Sequence, residues 1–339
     1  MLRDKIKIKN LELKNRILAA PIVSNSGDIN GIPTEKTFEI YEKYAQSGVG
    51  MVIMEQQAVH PWGRNKISQF RLYDDNAALT LEPLTKIFRK RNIPVVAQLN
   101  FAGARASGKE LLNERDFRFF SPSGIIPPFG TIKEESEPLQ LNEIKEIIDS
   151  FGDGTQRAIK LAKYSGGVQI YACHGYLIGQ FLSPITNQRT DKYGGELKNR
   201  ARILFEIVES AKNKVGDFPL SVRLGIADYM PWETPFGLTL NESLWITEEL
   251  AKMGIDWLGI SGNHCSYGIG VDDKDTGYFS FYSKAIKEKI KKYGVFVDCT
   301  GGIRTAKKAE TMLKDGVCDL IGIGRPLMTN KNFLSEWDN

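Results

Sequence analysis

Three ring side chains bearing hydrogen-bonding groups, Tyr171, His174 and Tyr176, fall within six residues at the head of the stretch YACHGYLIGQFLSPITNQRTDKYGG, residues 171–195. A loop that only reversed the chain would use Gly, Asn or Pro there. A tyrosine with a pKa near about 10 is protonated at neutral pH and can donate a proton. An imidazole can hydrogen-bond a carbonyl and stabilise charge developing on its oxygen. Aromatic packing under a loop explains one such residue more readily than a cluster of three.

Two glycine-rich ends, DCTGGIRT (298–305) and GIGRP (322–326), offer a different chemistry. Glycine lets backbone N–H groups approach an anion, a following helix N-terminus adds positive potential, and Arg304 or Arg325 adds charge. Gly301, Gly302 and Gly324 then form a phosphate seat; the alternative is that they serve tight turns. Two polar residues interrupt apolar runs: Gln98 in VVAQL and Arg223 in SVRLG. A guanidinium among buried groups must face a ligand or a carboxylate. Gln98 is either a satisfied core amide or a donor–acceptor pair for the edge of a heterocycle.

The candidate strands contain no lysine for Schiff-base chemistry. His60, His174 and His264 form no ligand pair at helical spacing, and Asp298 alone makes no metal site. Cys173, Cys265, Cys299 and Cys318 lack the spacing of a disulfide framework, zinc site or iron–sulfur cluster. An anion seat, a planar-ligand edge and a proton donor, without nucleophile or metal cage, match redox chemistry on a bound flavin.

Eight short apolar runs must position these groups: 17–21, 49–55, 95–99, 168–171, 220–224, 257–261, 295–299 and 320–324. Segments of helical period lie between or after them, at about 34–47, 76–91, 141–164, 197–215, 241–253, 280–292, 305–315 and 330–337. Strands apolar on both faces, alternating eight times with helices, predict an α/β fold, a (β/α)8 TIM barrel over residues 1–339. A Rossmann sheet would place GxGxxG after the first strand, where AAPIVSNSG stands. Long connections at 100–140 and 175–195, after the third and fourth strands, fall on the face where barrels place their chemistry.

The 339 residues carry a net charge of +4, without long charge runs. That balance argues against a nucleic-acid stripe or a membrane-surface helix. The start, MLRDKIKIKN, has no apolar signal core, so a cytoplasmic setting is expected.

The segments LKNRILAAP (13–21), YAQSGVGMVIMEQQAV (44–59), VAQLNFAGAR (96–105), HGYLIGQFLSPITNQRTDKYGG (174–195), SVRLG (221–225) and CDLIGIGRPL (318–327) resemble the Old Yellow Enzyme family of FMN-dependent NAD(P)H oxidoreductases and ene-reductases. The likeness spans nearly the whole chain and is strongest to the bacterial branch and to the barrel domain of dienoyl-CoA reductases. It implies FMN, with NADH or NADPH as electron donor and an activated alkene as the small-molecule substrate, and leaves room for a homo-oligomer. Pro21, Ile22, Val23 and Gln56 would line the isoalloxazine, Gln98 would bond its pyrimidine edge, and Arg223 would stand near N1. Gly301, Gly302, Gly324 and Arg325 would hold the phosphate. His174 would belong to the pair gripping the substrate carbonyl, and Tyr176 would protonate the neighbouring carbon.

Three departures fall at the substrate end. Gln169-Ile170-Tyr171 stands where the family has Glu-Ile-His, so a carbonyl-gripping histidine is a tyrosine; losing one oxyanion-type donor costs roughly 10²–10³ in rate if nothing replaces it. Val23 replaces a cysteine or threonine, and Phe101 a histidine. The iron–sulfur and nucleotide domains of the larger reductases are expected to be absent, so that electrons arrive from a nicotinamide or a separate protein.

Overall fold

The computed structural model describes residues 1–125, 131–228, 236–264, 277–330 and 332–338. Eight parallel strands close into a barrel in sequence order. They are β1 (Ile17–Ala19), β2 (Met51–Ala58), β3 (Val95–Asn100), β4 (Val168–Ala172), β5 (Leu220–Gly225), β6 (Trp257–Ser261), β7 (Phe296–Thr300) and β8 (Leu320–Ile323). Their β-branched and leucine-rich composition follows from position, because the barrel interior covers one face and helices the other.

The helices run α1 (Glu35–Gln46), α2 (Asp75–Thr80), α3 (Glu82–Arg89), α4 (Leu141–Lys160), α5 (Leu177–Leu182), α6 (Leu197–Val215), α7 (Leu240–Lys252), α8 (Ser280–Ile290), α9 (Ala306–Lys314) and α10 (Arg325–Thr329). The helix expected over 76–91 is broken at Leu81, where Asp74 caps α2 and Pro83 opens α3; proline at the first turn starts a helix readily but cannot continue one. The helix expected over 330–337 is not formed. Instead α10 precedes Asn330, whose side chain accepts from the Asn332 backbone, and a 3-10 turn follows at Ser335–Asp338. Short polar side chains compete with helical hydrogen bonds in this way. Residue 331 of that segment lies outside the described residues.

The lower barrel is sealed by an antiparallel hairpin, Ile6–Ile8 with Leu11–Leu13, that the sequence reading did not anticipate. Its Ile8 and Leu13 join Leu18, Met51, Ile53, Val96, Trp257 and Leu320 in one buried cluster. The connection 100–140 is not structureless. Ala102, Ala104, Ala106, Leu111, Phe117, Phe119 and Ile132 form their own apolar cluster, with Tyr176 packed against it. Residues 126–130 of this connection lie outside the described residues.

β2 carries the irregularity that matters most for the site. Its register against β3 shifts between Ile53 and Gln56, so that Gln56 pairs with Gln98 and Ala58 with Asn100. Such a bulge re-aims side chains. Glu55 accordingly meets Tyr41 of α1, and Gln57 meets Tyr164.

The buried Glu55 carboxylate accepts from the Ser24 backbone N–H at 3.0 Å, from the Ser24 hydroxyl, and from Tyr41 at 3.1 Å. Burial still pushes its carboxyl up to about 7, against the downward pull of Ser24 and Tyr41. A folded pKa above the unfolded one means that the native state holds the proton more tightly. The resulting stability is full at acid pH and is lost as pH rises from 4.5 through about 7. Glu55→Gln should remove this part of the slope, leaving a smaller difference in Tm between about pH 5 and about pH 8 than the parent shows. An unchanged difference in thermal scans would refute the assignment.

Candidate active site at the C-terminal ends of the strands

Above the apolar lower layer the barrel interior turns polar. Gln98 donates to the Gln169 side chain at 2.8 Å, and Gln169 donates to Ser221 at 3.1 Å. One level is set by strand register: Tyr171 is opposite Arg223, Arg223 opposite Gly259, and Gly259 opposite Asp298. A Cβ at Gly259 would come within 2.8 Å of Asp298 Oδ2 and 3.3 Å of Arg223 Cγ. The missing side chain therefore lets guanidinium and carboxylate approach across β6. Both are buried. Burial pushes the Asp298 carboxyl up to about 7, with Arg223, Thr300 and Trp257 pulling it back down.

The three rings are brought together. Tyr171 and Tyr176 have centroids 5.0 Å apart, and Tyr171 meets His174 edge-on at 5.4 Å. His174 adopts φ +57° and Gly175 φ +71°, so the chain doubles back immediately after β4. A side chain at Gly175 would collide with His264, 2.7 Å from its Nδ1. His174 Nδ1 is hydrogen-bonded to the Tyr171 hydroxyl, and Nε2 to Ser261 Oγ at 2.6 Å. Both ring nitrogens thus engage protein groups. Burial and the nearby Arg223 and Arg105 cations hold His174 well below the ordinary histidine range, so it is neutral.

Tyr176 is half-buried at the N-terminus of α5. Its hydroxyl accepts from Gln56 Nε2 at 2.9 Å, and Gln56 Oε1 accepts from Asn100 at 2.5 Å. Burial raises its pKa, while the Gln56 hydrogen bond and the Arg105 charge act in the opposite direction. The Gln56 amide, expected against a planar ring, is directed to Tyr176 and Asn100. Phe101 is turned under the loop, where it stacks on His60 at 6.1 Å.

Around the rim, Pro21 and Ile22 are half-buried and Val23 is 39% exposed at the end of β1. Gly324 sits at the end of β8, and a Cβ there would meet Ile22 at 2.9 Å, so glycine lets the two strand ends close up. Arg325 is exposed at the start of α10. Gly301 and Gly302 have φ +125° and +65°, and the Tyr278 ring lies where their side chains would project. Backbone conformation and close ring packing both require glycine at these two positions.

Several polar residues of the site were not singled out from sequence. Ser261 and Asn100 are two of them. Asp228 accepts from Ser183, Asn263 and the Leu238 and His264 backbones, and Asn263 also holds the Gly175 and Gly179 backbones. This buried network fixes the turn carrying His174 and Tyr176. Polar residues at strand ends were its only signal in sequence. Cys265 lies outside the described residues.

A model of the family described as NADH:flavin oxidoreductase / NADH oxidase matches residues 2–338. An NADH oxidase of Thermoanaerobacter brockii is 31% identical over 336 residues, covering 98% of this chain and 49% of that protein. The chain thus spans about half the length of that curated relative. Among solved structures, 2-naphthoyl-CoA reductase in complex with 2-naphthoyl-CoA superposes with TM-score 0.89 at 24% identity, over 99% of this chain and 51% of that one. An Old Yellow Enzyme homologue from Zymomonas mobilis superposes with TM-score 0.82 at 24% identity, over 99% and 92%. At such identities the superpositions establish the fold.

Proposed function

The chain belongs to the NADH:flavin oxidoreductase / NADH oxidase family, and on that footing we propose that it is an FMN-dependent NAD(P)H oxidoreductase reducing activated C=C bonds of α,β-unsaturated carbonyl compounds. The observation that carries this reading is the Tyr176 hydroxyl, hydrogen-bonded and half-buried beside Tyr171 at the strand ends. The donor set fits FMN: the Gln98 amide on β3 and the Arg223 guanidinium on β5, either side of β4, suit a pyrimidine edge, and the open rim at Pro21, Ile22 and Val23 suits a flat ring. Gly301, Gly302, Gly324 and Arg325 would hold the phosphate. Held there, FMN would supply the hydride chemistry, from a nicotinamide to the β-carbon of the alkene.

The protein's own part is to hold the carbonyl and deliver a proton. Tyr176 gives its phenolic proton to the α-carbon. Tyr171 takes over the carbonyl grip, with His174 acting through it. If Ser261 donates to His174 Nε2, the ring proton sits on Nδ1 and donates to the Tyr171 oxygen. A phenol that accepts at its oxygen can still donate its own proton, and that donation would serve the carbonyl as an oxyanion-type hydrogen bond.

The purified protein should be yellow, bleach anaerobically with NADH or NADPH, and regain colour when an enone is added. A colourless protein that takes up no FMN would remove the proposal. A second reading, a specialised substrate that does not use the ordinary two-histidine grip, is favoured by the Tyr171–His174 bond. It expects simple-enone activity to stay flat in Tyr171→His, whereas a rise would return the site to the common pattern.

A further inference from the structure

We propose that Gln56 is a positioning residue for Tyr176: its amide N–H donates to the phenol oxygen and so leaves the single phenolic proton directed at substrate. The inference rests on the reading of Tyr176 as proton donor.

The geometry is a short chain of hydrogen bonds with one polarity. Asn100 on β3 donates to Gln56 Oε1 at 2.5 Å, and Gln56 Nε2 then donates to the Tyr176 hydroxyl at 2.9 Å. A primary amide has separate donor and acceptor ends, so occupying its oxygen turns its nitrogen toward the phenol. A phenol has one proton. When a neighbour donates to its oxygen, that proton is available elsewhere; when a neighbour accepts from it, the proton is held back.

Both amides are firmly placed. Gln56 is 3% exposed and Asn100 fully buried. The β2 register shift sets Gln56 opposite Gln98, and Ala58 opposite Asn100. The Gln56 main chain is held in turn, its backbone carbonyl accepting from the Gln69 side-chain amide at 3.3 Å. Tyr176 is anchored independently, its ring packed against the apolar cluster of the connection after β3. The amide therefore fixes the direction of the O–H, not the position of the ring. It also favours the phenolate left once the proton has gone, in keeping with its downward effect on the Tyr176 pKa.

The test uses Gln56→Met and Gln56→Glu in the FMN-loaded protein, with Tyr176→Phe and the double variant Gln56→Met/Tyr176→Phe beside them. Gln56→Met should slow enone-dependent reoxidation about tenfold through kcat, with little change in KM. Gln56→Glu, a carboxylate that accepts from the phenol, should be slower still at neutral pH and recover toward acid pH as the carboxyl protonates. Independently of turnover, NMR of tyrosine labelled at Cζ, assigned through Tyr176→Phe, should show Tyr176 ionising at higher pH in Gln56→Met. In the Tyr176→Phe background Gln56→Met should have no further effect on reoxidation, since the amide acts through the phenol. Reoxidation unaffected by Tyr176→Phe would remove the proton-donor reading itself. Reoxidation slowed by Tyr176→Phe but indifferent to both Gln56 variants, or a fully active Gln56→Glu at neutral pH, would overturn the role of Gln56 alone.

Discussion

Tyr176→Phe should lower the rate of enone-dependent reoxidation by about 10²–10⁴-fold while leaving reduction by NAD(P)H within about twofold of the parent. The asymmetry follows from where a proton is needed. Hydride arrival at the β-carbon leaves a carbanion equivalent at the α-carbon, and the phenol is the proposed source of the proton that completes the product. Reduction by the nicotinamide makes no use of that group. The ring stays anchored in the apolar cluster after β3, so the loss falls on chemistry more than on folding. The Gln56 N–H is left without its phenol partner, at a cost of about 1 kcal/mol in stability. With burial raising the Tyr176 pKa, the alkaline decline of the parent should lie above about 10 and vanish in the variant. Stopped-flow traces of the two half-reactions separate these outcomes. Equal slowing of both halves would show that the substitution damaged the barrel mouth as a whole.

What could be read from the sequence, and what could not, follows the range of the interactions. Apolar runs such as VVAQL and SVRLG mark strands because burial on both faces selects those residues, and the eightfold alternation with helices gives the barrel. Gln98 and Arg223 were recognisable as inward-facing because polar groups inside such runs need partners, and the structure places Gln169 beside one and Asp298 near the other. The cluster of Tyr171, His174 and Tyr176 was legible because it is local: the end of β4 and the turn that follows it hold all three.

Partners set by register were not legible. Gln56 meets Tyr176 across 120 positions, and His174 meets Ser261 across 87. These pairings depend on a one-residue shift in β2 and on which level of the barrel each strand end reaches. The polar triplet Glu55-Gln56-Gln57 inside an apolar strand was the available signal of that shift, since strict alternation cannot bury three polar residues in a row without breaking step. The N-terminal hairpin escaped for a related reason: three-residue strands are too short to show a period.

Arg223 and Asp298 give the second large effect, and its sign changes with pH. In the proposed site Arg223 faces the part of the cofactor that gathers negative charge on reduction, and the buried Asp298 carboxyl, pushed up to about 7, shares the level across Gly259. Below about 7 the aspartate is protonated, so the pair presents one positive charge; above it the pair is neutral. Acid conditions therefore favour the reduced cofactor beyond the ordinary proton dependence. Arg223→Met should lower the midpoint potential most at about pH 6, on the order of 30–90 mV for a cation worth about 1–3 pKa units. At about pH 8 the fall should be smaller, because the stranded carboxylate takes up a proton and cancels part of the loss. Asp298→Asn should leave the potential near that of the parent at about pH 6 and raise it at about pH 8, removing the bend in the parent curve near 7. Potentiometric titration against redox dyes across this range measures all three proteins. A parent curve without the bend, or a potential in Asp298→Asn that falls at alkaline pH, would show that the carboxylate does not reach the cofactor electrostatically.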